Sequence, residues 1–565
     1  MKKGVKRKER INVLKKFFPA LDWILNYKKS DLSGDLSAGL IVAIMLIPQG
    51  MAYAMLAGLP PVIGLYASTI PLIIYALFGT SRQLAVGPVA MVSLLVLAGV
   101  STITEPGTGE YISLVLLLML MIGLIQFLMG ILKLGFLVNF LSHAVISGFT
   151  SAAAIIIGLS QLKHLLGIKL ESDNVFLLLW ESLSKISEIN VIAFAIGIGS
   201  ILLLIGIKKY VPRVPGPLVV VGLSILLVYL LQLHAFGVNI VGEVPKGLPT
   251  FSLPAFNMDS VIALMPIALT ISFIGFMESI AMAKAIASKE KYKVVPNREL
   301  VGLGLANVAG SFFSAYPVTG GFSRSAVNYQ AGARTPFASI ITAVLILFTL
   351  LFFTGFFYYL PNAVLAAIIM VAVYSLIDVK EAKYLFKIRS VDGWTWVITF
   401  IATLTIGIEK GILIGLAFSL LVFIGRSAYP HVAELGYLPD KNVFRNMKRF
   451  PEAKVVPEVT IFRIDASLYF ANMSFLDDKL CERIAEKPQT KWIILDFSGV
   501  NSIDAVAIHS LEEIMETCSK GGIQFLFAGI KGPVKDLLKK AEWNHKYGNQ
   551  LQFLSLEHAL KAIGK

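Results

Sequence analysis

Two short glycine-containing segments interrupt apolar runs of the sequence, and both could bind an anion. They are Ala85 to Ala90 (AVGPVA) and Thr319 to Arg324 (TGGFSR). A helix that begins at such a break has N–H groups without an intrahelical acceptor, so its N-terminus attracts negative charge. Paired interruptions at corresponding places in two halves of a chain are typical of transporter binding sites. The pair predicts a site for a small inorganic or organic anion.

The second segment adds a cation to these backbone donors. Gly320 and Gly321 form the break, and Phe322 and Ser323 follow, where the hydroxyl can cap the new helix. Arg324 lies beside the helix N-terminus, a position unfavourable for a cation unless an anion is also present. The alternative is an arginine that reaches water or pairs permanently with a carboxylate. An oxyanion bound by this segment is the favoured interpretation.

The first segment would oppose the second. Gly87 frees the backbone, and Pro88 suits a first helical turn because its missing N–H would be unbonded there anyway. Val89 and Ala90 then offer two backbone donors. A Gly-Pro pair alone is typical of a loop, so this prediction depends on the partner segment near Gly321.

Two polar residues of the first apolar run could orient the same anion. Gln49 and Tyr53 are four residues apart, so they share one face of a helix and present an amide and a phenol. The alternative is polar packing between helices. We predict both as substrate-binding residues.

Glu278 is predicted to couple transport to protons. A carboxylate within a membrane span costs at least about 2.5 kcal/mol and is functional by default. Burial favours the neutral form of a carboxyl group, so Glu278 could carry a proton in one state and release it in another. The alternative is a structural pair with Lys284 or Arg324. No cofactor other than the coupling proton is expected.

The elements that position these residues are apolar runs of membrane-spanning length. The chain of 565 residues is 56% hydrophobic and only 15% charged, which excludes a single soluble core. The first seven runs cover about 36–54, 62–79, 87–101, 112–134, 137–160, 190–207 and 217–232. The second seven cover about 261–283, 301–314, 322–333, 337–358, 361–377, 393–408 and 411–425. An even total of fourteen places both termini on one side of the membrane.

Basic residues identify that side as cytoplasmic. The linkers 208–213, 284–298 and 380–389 are basic, whereas 101–111 and 233–260 carry one lysine between them. Ten basic residues precede position 30, which favours contact with anionic lipid over nucleic-acid binding. We therefore predict a basic cytoplasmic segment over 1–34 and a transmembrane domain over 35–426.

The offset between landmarks supports an internal repeat. Gly87 and Gly321 are 234 residues apart, and Gln49 and Glu278 are 229 apart. An odd number of spans in each copy makes the second inverted, so the two short helices meet head to head near the midplane. We place the repeats at about 35–232 and 261–426; coincidental spacing is the alternative.

The remaining residues, 427–565, alternate between strand and helix patterns. Strands are predicted at 458–463, 491–497 and 524–528, and helices at about 473–486, 504–519 and 532–542. Cys481 and Cys518 are the only cysteines, so neither a disulfide framework nor a metal cluster is supported. A small cytoplasmic α/β domain is expected.

The ordered motifs resemble the SulP anion permease family with a C-terminal STAS domain. The matching segments are 48–54 (PQGMAYA), 56–66 (LAGLPPVIGLY), 278–284 (ESIAMAK), 297–300 (NREL), 321–325 (GFSRS), 468–472 (LYFAN) and 495–504 (LDFSGVNSID). The resemblance implies two inverted repeats of seven spans, a core domain that slides against a gate domain, and a homodimer. It also makes Ser323 and Arg324 the leading substrate contacts.

The resemblance also bears on coupling. Proton-coupled members keep Glu at the position of Glu278, whereas sodium-coupled members have Asp there and a hydroxyl residue four positions later, where this chain has Met282. In the tail, Ala505 stands beside Asp504, so a phosphorylation switch at that point is not expected; a cytoplasmic protein partner of the domain is an open prediction.

These observations predict a cell-membrane transporter of small oxyanions, sulfate first, with proton symport and an elevator-like mechanism. It would perform no chemistry on its substrate, so it is not expected to be an enzyme. Two alternatives stay open. One is a bicarbonate or dicarboxylate carrier or an anion exchanger of the same family, and the other is a membrane-anchored anion sensor that signals through its tail.

Overall fold

The computed structural model describes residues 18–136, 142–170, 175–211 and 215–565, with the side chains of 408 and 409 left out. Most of the predicted basic segment, residues 1–17, and the start of the predicted run at 137–160 lie outside these ranges. The chain separates into two compact units, Met1–Ser419 and Leu420–Lys565. The division falls within the helix Ile408–Ala428, slightly before the predicted boundary at 426.

The first unit is almost entirely helical. In its first half the helices are Ala20–Leu25, Lys29–Leu56, Pro61–Tyr66, Ile70–Phe78, Ala90–Val100, Gly109–Ile131, His143–Ser160, Leu162–Leu166, Val175–Ser184, Val191–Tyr210 and Gly216–Leu231. In the second half they are Met258–Lys289, Pro296–Ser311, Phe322–Gln330, Phe337–Phe352, Asn362–Tyr374, Val379–Ile388, Ser390–Ile406 and Ile408–Ala428. Short 3-10 turns lie at Ile186–Glu188, Leu233–Phe236 and Thr354–Phe357.

Each of the fourteen predicted apolar runs overlaps at least one helix of the structure, and the run at 62–79 is divided between two. Within the described residues, eight helices or helix pairs are long and apolar enough to cross a membrane, and five apolar helices are shorter. The fold is therefore a mostly helical polytopic membrane fold. The total of fourteen crossings stays a prediction, because several of the crossings would be made by short helices.

Four described helices of the first unit were not predicted: Ala20–Leu25, Leu162–Leu166, Val175–Ser184 and Val379–Ile388. Val175–Ser184 and Val379–Ile388 are each ten residues long and amphipathic, with exposed apolar side chains such as Trp180 and Tyr384. Neither has the continuous apolar run that identifies a span, so a search for spans passes over them. Their composition is typical of helices that lie at a membrane interface.

A two-residue strand precedes each of the two short half-helices, and the two strands pair with each other. Strand β1, Val86–Gly87, pairs antiparallel with β2, Thr319–Gly320, with Val86 opposite Gly320. The first half-helix, Ala90–Val100, follows β1, and the second half-helix, Phe322–Gln330, follows β2. Because pairing satisfies the backbone groups of non-helical segments, these breaks can exist inside a membrane protein.

The second unit has one five-stranded sheet. Its strands are β3 Val432–Leu438, β4 Val443–Asn446, β5 Val459–Ile464, β6 Trp492–Asp496 and β7 Gln524–Ala528, in the order β4-β3-β5-β6-β7. Strands β5, β6 and β7 are parallel, and β3 is antiparallel to both of its neighbours. The helices are Met473–Glu486, Ala505–Lys520, Gly532–Lys540, Trp543–Tyr547 and Leu556–Ala562.

The three predicted strands and three predicted helices of this unit are confirmed to within about two residues. Strands β3 and β4 were missed because Glu434 and Gly436 interrupt the apolar pattern of an edge hairpin. Asp504 accepts a hydrogen bond from the Ala507 N–H at 2.7 Å and so caps the helix that follows. That contact gives Asp504 a structural role at the start of Ala505–Lys520.

Candidate functional site

The two predicted breaks lie side by side, and each opens a helix with free N–H groups. The first intrahelical bonds run from Ser93 N to Val89 O and from Ser325 N to Gly321 O, both 3.0 Å. Three N–H groups precede each of these bonds, those of residues 90–92 and 322–324. The two N-termini therefore present six backbone donors that no carbonyl of their own helix accepts.

Two details of the sequence prediction were wrong. Pro88 is not in the first turn, because Val89 is the N-cap and the helix begins at Ala90. Ser323 does not cap the second half-helix, because Gly321 holds the N-cap position and no side chain caps it. Ser323 instead lies at the second helical position, where its own N–H is one of the free donors.

Arg324 connects the two half-helices. Its side chain is only 2% exposed, and its Nη1 donates to the Pro88 carbonyl at 2.7 Å. Nη2 lies 3.5 Å from the Ala85 carbonyl, and Nε is buried without a hydrogen-bond partner. Carbonyl oxygens orient the guanidinium without neutralising it, so a full positive charge remains at the junction.

Glu278 belongs to the electrostatic surroundings of this charge. Three ionisable groups, Tyr53, Glu278 and Tyr316, are close enough to interact electrostatically with Arg324, and Glu278 is the acid that can be charged at ordinary pH. Among the described ion pairs, which extend to 4.0 Å, none joins Glu278 to Lys284 or Arg324. A permanent direct ion pair, the alternative that the sequence left open, is therefore not formed in this conformation.

The remaining predicted residues divide into buried and exposed groups. Val89, Ala90, Tyr53 and Gln49 are each 6 to 7% exposed, whereas Phe322 is 51% exposed. Ser323 is exposed as well. The structure thus brings Gly87, Pro88, Gly321 and Arg324 into one junction with Tyr53 and Glu278 nearby. Gln49 is on the helix of Tyr53, and no described hydrogen bond joins it to the half-helices.

Several hydroxyl groups hold this junction and were missed by sequence reasoning. The hydroxyls of Ser93 and Tyr316 are 2.9 Å apart, and Ser93 also donates to the Val89 carbonyl at 2.9 Å. On the other side, Ser279 accepts from the Gly320 N–H at 2.8 Å and lies 2.7 Å from the Thr319 hydroxyl. Ser279 directly follows Glu278, so the helix that carries Glu278 is hydrogen-bonded to β2, the strand that precedes Arg324.

Two buried carboxylates brace the loops next to the half-helices. Glu299 accepts from the Thr80 N–H at 2.6 Å, the Ser81 N–H at 3.0 Å, the Thr80 hydroxyl at 2.5 Å and the Tyr75 phenol at 2.6 Å. Asp35 accepts a matching set of four, which the Arg334 N–H, the Thr335 N–H and hydroxyl and the Tyr27 phenol donate. Four donors satisfy each carboxylate, so both act as structural anchors.

Replacement of Gly321 by alanine is expected to weaken anion binding several-fold without loss of folding. An added Cβ would lie 2.9 Å from Nη2 and 3.1 Å from Cζ of Arg324, so the guanidinium must shift, whereas φ at Gly321 is an ordinary −83°. Gly199→Ala is the matched control, because its Cβ would meet nothing within 4 Å. Isothermal titration with sulfate measures both variants. Equal affinities would show that the guanidinium position does not affect binding.

Comparison with known proteins identifies the family of the chain. The Sulfate permease family matches residues 32–399, and the STAS domain family matches residues 450–558. The chain belongs to the sulfate permease family. It is 42% identical over 556 residues to sulfate transporter 4.1, chloroplastic, from Arabidopsis thaliana, a match that covers 94% of this chain and 80% of that protein.

Solved structures show the same fold for this member of the sulfate permease family. The murine Solute Carrier 26 family member A9 anion transporter, in its inward-facing state, superposes with a TM-score of 0.92 at 26% identity, over 98% of this chain and 95% of the other. The transmembrane domain of the cyanobacterial bicarbonate transporter BicA gives 0.60 at 24% identity, over 70% and 98% respectively. The second likeness concerns the fold alone.

Proposed function

We propose that this sulfate permease family member is a secondary active transporter of small oxyanions, with sulfate as its first substrate. The observation that carries the proposal is the buried Arg324 between two half-helix N-termini. A tetrahedral oxyanion has acceptors on every side, and six backbone donors with one guanidinium match that distribution. The name of the plant relative supports sulfate among the anions of this shape and charge.

Proton symport is the favoured coupling. Glu278 lies close enough to Arg324 for their charges to interact, so the protonation of one carboxyl changes the net charge that an incoming anion meets. Four residues later the chain has Met282, which is 6% exposed and offers no oxygen ligand to a sodium ion. Sodium prefers oxygen ligands, as hard cations do, so this position supports protons.

An elevator-like movement agrees with how the junction is attached. Ser279 of Met258–Lys289 and Glu299 of Pro296–Ser311 hold the strands and loops of the two half-helices by hydrogen bonds. A set of elements connected in this way moves as one body more readily than it deforms. We therefore propose that the half-helices, their anion and these two helices cross together against the remaining helices.

The wider setting of the protein is proposed on the same grounds. We place it in the cell membrane as a homodimer, with both termini in the cytoplasm, as the basic linkers indicate. The substrate leaves unchanged, so the protein is proposed not to be an enzyme. The STAS domain would offer a surface to a cytoplasmic protein partner.

Uptake into proteoliposomes tests the proposal. We expect labelled sulfate to accumulate when the outside is made acidic, with little response to a sodium gradient at constant pH. Bicarbonate, chloride and fumarate, offered separately, measure the selectivity. Binding of sulfate without accumulation under any gradient would favour a sensor, and uptake that needs only an unlabelled anion inside would favour an exchanger.

A further inference from the structure

A cavity lies away from the junction at Arg324. Its volume is about 350 Å³, and it is an open cavity lined by the N-terminal stretch, the loop before β1, the loop after Met258–Lys289 and the loop after the second half-helix. Its lining includes Trp23, Lys28, Arg82, Tyr292 and Arg334. None of the predicted anion-binding residues lines it, so the two sites are separate.

Hydrogen bonds fix the positions of Tyr292 and Gln83, two residues that line this cavity. The Tyr292 hydroxyl donates to Gln83 Oε1 at 2.8 Å and accepts from the Arg82 N–H at 3.1 Å. Gln83 Nε2 donates in turn to the Ala333 carbonyl at 3.3 Å. The guanidinium carbon of Arg82 then lies 5.1 Å from the centre of the Tyr292 ring, a cation–π distance that keeps Arg82 over a fixed surface.

Three cations and three acids line the cavity, and each acid has a partner of its own, which orients its carboxylate without removing its charge. Lys28, Arg82 and Arg334 are exposed, and none of them occurs in an ion pair among the described residues. By contrast, Asp31 accepts from the Lys28 N–H at 3.2 Å and Glu290 accepts from the Tyr329 phenol at 2.9 Å. The third acid, Asp22, also has a partner.

We infer that this cavity binds the phosphate group of an organic phosphate. Two guanidinium groups and one ammonium suit a multiply charged phosphate, because the arginine fork matches its oxygen geometry. The volume lies in the range of small-molecule sites and exceeds the needs of one sulfate ion. Trp23 adds a half-buried ring against which a base or an apolar group can pack.

The basic linkers place this cavity on the cytoplasmic side, where two sources of such a group exist. A soluble nucleotide and the headgroup of an anionic phospholipid share the phosphate chemistry. The nucleotide is the source that the aromatic lining favours, since a lipid headgroup such as glycerol has no ring. The experiment therefore needs one arm for each source.

Titration of ADP into the full-length protein tests the inference. The protein is held in nanodiscs of neutral phosphatidylcholine in a buffer without sulfate, because an oxyanion in excess would compete with the phosphates of ADP for the same arginines. We expect saturable ADP binding in the wild type that weakens at least tenfold in the double variant Arg82→Gln/Arg334→Gln. Arg389→Gln, an exposed arginine outside the cavity, is the matched control and should change affinity less than twofold.

The lipid arm uses nanodiscs that contain phosphatidylglycerol and no ADP. Native mass spectrometry counts the lipids that remain bound, and loss of one in the double variant would assign the site to a headgroup phosphate. Arg334→Gln alone is measured as well, since that exposed side chain can change without disturbing Tyr292. Failure of both probes to bind the wild type, or unchanged binding in variants with wild-type thermal unfolding, would overturn the inference.

Discussion

Arg324→Ala is expected to weaken sulfate binding roughly 10- to 150-fold. A charge-assisted contact to an anion is worth about 1.5 to 3 kcal/mol, and each 1.4 kcal/mol is a factor of ten in affinity. The loss of sulfate affinity should be large, because the guanidinium of Arg324 is the buried cation at the junction and its Nε has no hydrogen-bond partner. Isothermal titration of the purified variant with sulfate measures the change.

A folding defect has to be separated from a binding defect in this variant. Alanine also removes the 2.7 Å bond to the Pro88 carbonyl, so some loss of stability is expected along with the loss of affinity. Arg324→Lys keeps the charge without the fork and should bind with an intermediate affinity. Thermal unfolding of both variants without sulfate gives the stability. If a folded Arg324→Ala protein bound sulfate with wild-type affinity, Arg324 would not be a sulfate contact.

The junction was predictable from sequence because its signals are local. Glycine at 87 and at 320–321, proline at 88 and a cation at 324 each break the apolar pattern, so they stand out without any knowledge of the fold. Their spacing of 234 residues indicates a repeat, and in the structure β1 and β2 bring the two segments together. The exact helix starts were not predictable, because the N-cap positions depend on the pairing of the two strands.

The carboxylates that brace the loops of the junction could not be predicted, because their signals are not local. Glu299 lies in the first turn of its helix, where acidic residues are common, and Asp35 lies near the start of the first predicted span. Nothing local separates them from ordinary terminal carboxylates. The donors to Glu299 are about 220 residues away along the chain, and all the donors to Asp35 except Tyr27 are about 300 residues away, so only the folded structure reveals them. Long-range hydrogen bonds of this kind leave no periodic pattern in the sequence.

The role of Glu278 depends on a comparison of two charge states of one site. With Glu278 ionised, its charge offsets that of Arg324, and an incoming anion meets a junction of low net charge. With Glu278 protonated, the charge of Arg324 is no longer opposed and the anion binds more strongly. Thermodynamic linkage then requires that a bound anion raise the proton affinity of Glu278 by the same factor, which is the coupling that the proposed symport needs.

Glu278→Gln should therefore keep sulfate binding while it abolishes accumulation driven by a proton gradient. The carboxamide has the size of the carboxyl group and resembles its neutral state, but it cannot release a proton inside the vesicle. Exchange of labelled for unlabelled sulfate is expected to continue, since that process needs no net proton movement. Glu243→Gln, an exposed carboxylate in a linker, is the control and should accumulate sulfate as the wild type does.

Two gradients applied to the same vesicles decide the outcome. Wild-type uptake should follow an inward proton gradient, and the Glu278→Gln variant should reach only the level set by equilibration of sulfate. A sodium gradient at constant pH should not change sulfate uptake by either protein, because Met282 supplies no oxygen ligand at the position where a sodium ion would need one. Uptake by Glu278→Gln that still rises with the proton gradient would leave this carboxylate with an electrostatic role at Arg324 and place the coupling proton on another group.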